Sequence, residues 1–273
     1  MTKNTASSKR NKKSKAKNQG FSRDDQKKML CAESPFVVKE AYNSIRTNLL
    51  FSQQGEKCPV FVISSPSANN GKSINSINMA ISFAQMGKNT LLIDADMRNP
   101  TVHRMFSIPV KNGLSEILAG LTDSISVTKT DVENLSVLTA GKIPPNPAEL
   151  LSSARMDKLL EFVKAHYDCV FIDTPPINLV TDSTSFATKA TGYILVVKSG
   201  TTDLQEVKAT VGALKHIGAS IVGFILNDAN ATGKRFSGYY KKGYNSKYKY
   251  NYNYNYSYGY SNYYGYSRYG RYK

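Results

Sequence analysis

Residues 62–80 read VISSPSANNGKSINSINMA. An apolar run ends in small polar residues, a loop follows, and Gly71-Lys72-Ser73 opens a stretch with helical spacing. A chain cradles phosphate in this setting: amides at a helix N-terminus face the anion, a lysine reaches the β- and γ-phosphates, and a hydroxyl ligates Mg²⁺. The pattern marks Asn70, Gly71, Lys72, Ser73 and Ile74 as candidate nucleotide-binding residues. The standard loop carries glycine where this chain has Pro66. Asn69 and Asn70 soften that departure, because asparagine enters the left-handed backbone region more readily than other non-glycine residues.

Working outward, apolar runs at 59–64, 89–94, 168–173, 192–197 and 220–226 read as buried strands. Helical patterns are expected at 35–52, 72–87, 182–190 and 203–217, with one or two helices over 149–167. Alternation of this kind predicts an α/β, P-loop NTPase-like fold, a mostly parallel sheet with helices on both faces. Two strands end in acid: LLIDADMR (91–98) places Asp94, Asp96 and Arg98 at a strand terminus, and VFIDTPP (170–176) places Asp173 at another. Ligands of open α/β sheets bind at the strands' carboxyl ends. The three acids are therefore expected beside Lys72 and Ser73, suiting a site for ATP and Mg²⁺. The plainer alternative, that each Asp only caps its strand, stays open for any one of them.

The chain has 273 residues and a formal net charge of +16. That charge is concentrated at the ends: +8 over residues 1–28 and +9 over 234–273, against a nearly neutral middle. The expected organisation is a basic disordered head (1–30), a folded domain (31–232) and a disordered tail (233–273). A basic tail favours anionic partners, and the head would be attracted weakly to an anionic membrane face. Cys31, Cys58 and Cys169 are too widely spaced for a disulfide framework or a metal site, and the three histidines have no metal-ligand spacing. No apolar run approaches the ~20 residues that span a bilayer.

Fifteen of the 18 tyrosines fall between Tyr239 and Tyr272. Taken alone, so dense a Tyr/Asn segment could self-associate or stack on single-stranded RNA.

Several blocks resemble the bacterial tyrosine kinases that accompany capsule and exopolysaccharide synthesis: EAYNSIRTNLLF (40–51), LLIDADMRNPTVHRMF (91–106), AGKIPPNPAELLSS (140–153) and YDCVFIDTPPINLVTD (167–182). The resemblance implies an autophosphorylating protein-tyrosine kinase. Lys72 would hold phosphates, and Ser73, Asp96 and Asp173 would serve the metal. Asp94 or Asp96 would take the tyrosine proton, Asp94 being favoured. The tail becomes the substrate, at Tyr248, Tyr250, Tyr252, Tyr254, Tyr256, Tyr258, Tyr260, Tyr263, Tyr264, Tyr266, Tyr269 and Tyr272. Its 40 residues reach about 35 Å as a flexible chain, so transfer to a neighbouring subunit is favoured.

Further implications are a membrane-embedded adaptor that activates the kinase, a cognate phosphatase, a homo-oligomeric ring, and a cytoplasmic protein recruited peripherally to the membrane. No nucleic acid is expected. Two departures stand out. Ala68-Asn69-Asn70 replaces the family's Pro-Gly-Glu, and its ExxRxxR ring-packing helix is reduced to Glu40-x-x-Asn43-x-x-Arg46. A non-catalytic nucleotide-binding regulator and a P-loop positioning ATPase remain as alternatives; the second kind carries an extra lysine at the start of the loop, where this chain has Ser67, and that counts against it.

Overall fold

The computed structural model describes residues 26–52 and 55–229. The expectations for the basic head through residue 25 and for the tyrosine-rich tail lie outside the described residues.

Helix α1 (Phe36–Ser52) comes first, followed by β1 (Val60–Ser64), α2 (Lys72–Gln85), β2 (Thr90–Asp94) and two short helices, α3 (Val102–Met105) and α4 (Leu114–Leu118). Next are β3 (Thr128–Lys129), β4 (Leu135–Leu138), α5 (Pro147–Leu151), α6 (Ala154–His166) and β5 (Cys169–Asp173). A 3₁₀ turn (Asp182–Phe186), β6 (Gly192–Lys198), α7 (Leu204–His216) and β7 (Ile221–Asn227) complete the described chain. The sheet runs β3-β4-β2-β5-β1-β6-β7. Every pairing is parallel except the antiparallel β3–β4 edge. The expected α/β class is found.

β1, β2 and β5 are buried at every position, as continuous apolar runs must be when helices cover both faces of a parallel sheet. One core layer lies under α4–α7 and includes Val62, Ile93, Ile172 and Leu195. The other lies under α2 and includes Phe61, Ile63, Leu92 and Phe171. Here Phe61 stacks on Phe171 with centroids 5.5 Å apart, and Phe83 of α2 meets Phe171 edge-on at 5.1 Å. The Phe83 contact clamps α2 to β5, and each aromatic pair adds about 0.5–1.5 kcal/mol beyond simple burial.

One expectation changes. The helix expected over 182–190 is only a 3₁₀ turn over Asp182–Phe186. Its hydroxyls leave the helical pattern: Ser183 Oγ donates to the Pro175 carbonyl at 2.5 Å and Thr184 Oγ1 to the Thr181 carbonyl at 2.6 Å. Such bonds compete with helical ones. The 149–167 region resolves into two helices, with Ser153 in extended backbone between them. The short elements α3, α4, β3 and β4 had no counterpart in the sequence reading.

Candidate active site

The turn from β1 into α2 is set by backbone handedness. Asn69 has φ +63° and Gly71 has φ +87°, so an asparagine and a glycine take the left-handed positions. Of the two loop asparagines, Asn69 takes the left-handed backbone and Asn70 does not. Side chains brace the loop from outside. Ser67 Oγ donates to Glu206 of α7 at 2.9 Å, Asn227 Nδ2 at the end of β7 donates to the Asn70 carbonyl at 3.0 Å, and Asn75 Nδ2 donates to the Gly71 carbonyl at 2.9 Å. At the start of α2 the first amides have no intrahelical acceptor and form an anion-binding end.

Lys72, the first residue of α2, points along the sheet's carboxyl edge. Its Nζ lies 2.8 Å from Asp96 Oδ2 and 3.5 Å from Asp173 Oδ2, and it donates to Ser73 Oγ at 3.2 Å. Burial works against its charge, but Asp173 and Asp96 outweigh that and raise its pKa. The structure brings Lys72, Ser73, Asp96 and Asp173 together in one cluster. Register explains why: Asp94 pairs with Asp173 across β2–β5.

Asp94 occupies a different environment from Asp96. It is fully buried, and its carboxylate accepts the main-chain N–H groups of Asp96 at 3.2 Å and of Thr101 and Val102, both at 3.1 Å. Burial first, and then Asp173, pushes its pKa up to about 8. Asp96 instead lines a cavity of about 550 Å³, together with Gly71, Lys72, Ser73, Arg98 and Pro176. Arg98 is forked onto the buried Asp182, with Nε–Oδ2 at 2.8 Å and Nη2–Oδ1 at 2.9 Å.

A magnesium–nucleotide complex suits this donor set. Asp173 Oδ1 accepts from Ser76 Oγ at 2.9 Å, while Oδ2 is buried with no hydrogen-bond donor, only the Lys72 ion pair. Burial raises the Asp173 pKa, offset in part by Lys72 and the Ser73 hydroxyl. A cation beside that oxygen would favour the charged form. Among the described residues no three His, Cys, Asp or Glu side chains converge on one point to hold an ion unaided. Mg²⁺ does not need such a cage, since it is commonly held by one or two carboxylates plus phosphates and water.

The helix residues Glu40 and Arg46 are not free. Glu40 accepts from Asn43 at 2.9 Å, and Arg46 donates to the Ser82 carbonyl at 2.6 Å and to Ser82 Oγ at 2.9 Å, tying α1 to α2. The sequence reading missed Asn227, Glu206, Asp182 and Asn75. The first three become neighbours of the site only through the fold; Asn75 did lie next to the loop, but nothing in its spacing set it apart. No helix among the described residues is long and apolar enough to cross a membrane.

Residues 61–221 match the AAA domain family. The chain is 41% identical over 192 residues to the putative tyrosine-protein kinase CapB of Staphylococcus aureus, covering 70% of this chain and 84% of that one. It is 38% identical to the tyrosine-protein kinase YwqD of Bacillus subtilis, covering 84% and 94%. Among solved structures, the chimerical protein CapA2B2 superposes with a TM-score of 0.67 at 37% identity, covering 71% and 85%.

Proposed function

The chain belongs to the bacterial tyrosine-protein kinases, and from that premise we propose that it moves the γ-phosphoryl group of ATP onto tyrosines of its own 239–272 segment, chiefly between subunits, in the control of capsule or exopolysaccharide synthesis. The observation that carries this reading is the convergence of Lys72 on Asp96 and Asp173 at the mouth of a phosphate-binding turn.

A tyrosine hydroxyl has a pKa near 10 and is a weak nucleophile at neutral pH. A carboxylate on the cavity wall answers that problem, and Asp96 is so placed, whereas Asp94 is engaged by three main-chain amides. We assign proton acceptance to Asp96 and the shaping of its loop to Asp94. When a triphosphate takes over the Lys72 ammonium, Asp96 loses its ion-pair partner and becomes free to accept. The Oη–H bond then breaks toward Asp96, the phenolic oxygen forms a bond to phosphorus, and the bond to the β-phosphate oxygen breaks, releasing ADP. Lys72 stabilises the charge on the transferring group. Ser73 and Asp173 would hold Mg²⁺, which when bound neutralises charge on the β- and γ-phosphate oxygens.

Each phosphotyrosine adds about −1.5 to −2 charge, so about five or six cancel the tail's +9. Such neutralisation would release a basic tail from acidic surface on a neighbouring subunit. The same reading includes a membrane-embedded activator whose cytoplasmic end raises turnover, an oligomer of the chain, and a phosphatase that resets the tail.

The test mixes full-length wild-type chain with a size-tagged Lys72→Met chain, Mg²⁺ and γ-labelled ATP, then maps labelled residues. Label on the tail tyrosines of the Lys72→Met chain is expected. Release of free phosphate without tail labelling, or label confined to the wild-type chain, would overturn the reading or its between-subunit form respectively.

A further inference from the structure

We propose that Tyr42 of α1 is a positioning residue for phosphoryl transfer: through Asn75 it holds the Gly71 carbonyl, and so couples the shape of the phosphate loop to α1 and to the segment that precedes it. The inference deepens the reading above and rests on it.

Gly71 is where the loop turns into α2, at φ +87°. Its carbonyl accepts twice from one residue, from the Asn75 main-chain N–H at 3.1 Å and from Asn75 Nδ2 at 2.9 Å. Asn75 is only 2% exposed, so both ends of its amide need partners. Its Oδ1 accepts from Tyr42 Oη at 3.0 Å. Tyr42 Oη accepts in turn from Asn78 Nδ2 at 3.1 Å. Asn78 completes the chain: Nδ2 also donates to the Lys28 carbonyl at 3.0 Å, and Oδ1 accepts the Leu30 N–H at 2.8 Å.

Donation runs in one direction, from Asn78 through Tyr42 and Asn75 to Gly71. Each member is satisfied only while its neighbour keeps its orientation, and partly satisfied buried networks are costly. Burial raises the pKa of the Tyr42 phenol, which keeps its proton available for donation. The ring itself could be supplied by phenylalanine, so the hydroxyl is the informative atom. Without it Asn75 Oδ1 loses its donor, the side-chain amide is no longer fixed, and the Gly71 carbonyl keeps only its helical bond. Small displacements of a group that seats a phosphate lower the rate of a reaction that depends on alignment.

Segment 26–31 shares in the device. Gln26 Nε2 donates to the Arg104 carbonyl at 3.0 Å and to Ser107 Oγ at 3.1 Å, and Lys28 lines the same cavity as Lys72. A shift of this segment therefore reaches Gly71 through Asn78, Tyr42 and Asn75, and a shift of α1 through Tyr42 and Asn75.

The experiment uses the full chain as wild type, Tyr42→Phe, Asn75→Ala and the double variant. A fluorescent ATP analogue with Mg²⁺ gives the Kd, steady-state transfer to the Lys72→Met chain gives KM for ATP and kcat, and nucleotide-free melting monitors the fold. Tyr42→Phe should raise Kd and KM by about 2- to 10-fold along with a lowered Tm from the partner lost to Asn75 and Asn78, and the double variant should be no weaker than Asn75→Ala. Unchanged Kd and KM alongside a lowered Tm would make Tyr42 merely structural and overturn the inference. Additive losses in the double variant would also overturn it, by showing that the two residues act separately. Failure of the wild type to bind the analogue would instead sink the underlying reading of the site, and this inference with it.

Discussion

Asp94 and Asp173 stand opposite one another in register at the carboxyl ends of β2 and β5, and neither exposes any surface. Two carboxylates so placed resist carrying charge together unless a cation lies between them. Of the two, Lys72 pairs with Asp173, at 3.5 Å, and only partly offsets the rise at Asp94, which stays up at about 8; the ion pair couples the end of β5 to the phosphate loop. Within this cluster the fold separates two tasks, one acid shaping the loop after β2 and another facing the cavity.

The division predicts different losses for two conservative substitutions. Asp94→Asn turns an amide N–H₂ toward main-chain donors, so at least one of the Asp96, Thr101 or Val102 amides loses its acceptor. Unfolding free energy in urea should fall by about 1–3 kcal/mol. Asp96→Asn keeps an oxygen for the Asn99 N–H, and Lys72 retains Asp173. That variant should bind nucleotide and stay folded while losing phosphoryl transfer by about 100-fold or more. If Asp96→Asn proved the less stable of the two and still labelled its tail, the division of roles would be reversed.

Much of this site was legible because it lies next to strong local signals. An apolar strand followed by a small-residue loop and Gly71-Lys72-Ser73 leaves few structural choices, and Asp94 and Asp173 each close an unbroken apolar run. Element boundaries there fell within one or two residues of expectation. The supporting shell was not legible: Arg98 finds Asp182 across 84 residues, and Asn227 reaches Asn70 across 157. Such partners are set by strand order. β4, with four residues, is too short to stand out by periodicity, and Ser/Thr-rich 182–186 has hydroxyls that prefer local carbonyls to a regular helix.

The Arg98–Asp182 fork should respond asymmetrically to truncation. Asp182 is fully buried, whereas the Arg98 side chain is 47% exposed. Arg98→Ala strands a buried carboxylate, which should cost about 1–3 kcal/mol. Asp182→Ala leaves an arginine that water can solvate, and the loss should be smaller. Chemical unfolding of both variants reads the difference directly, and equal losses would mean that Asp182 has other support.

Thiol chemistry offers a check on the packing. Cys31 is exposed, while Cys58 and Cys169 are buried. Burial pushes the Cys58 thiol up to about 11 and raises Cys169 well above its ordinary value. Reactivity follows the thiolate, so at pH 8 the native chain should show one fast thiol with a chromogenic disulfide and three after unfolding in guanidinium. Fast reaction of all three in the native protein would contradict the placement of β1 and β5 in the core.

Gly71 provides the sharpest test of the phosphate loop, because two separate obstacles oppose any side chain there. Its φ of +87° penalises a Cβ by about 1–2 kcal/mol. That Cβ would also collide with the Asn227 amide, which braces the Asn70 carbonyl. Gly71→Ala should therefore weaken binding of a fluorescent ATP analogue by at least about 10-fold. Adding Asn227→Ala opens the space but leaves the backbone strain and deprives the Asn70 carbonyl of its donor, so affinity should stay low. Recovery of wild-type affinity in the double variant would mean that collision, not handedness, demands glycine at this turn.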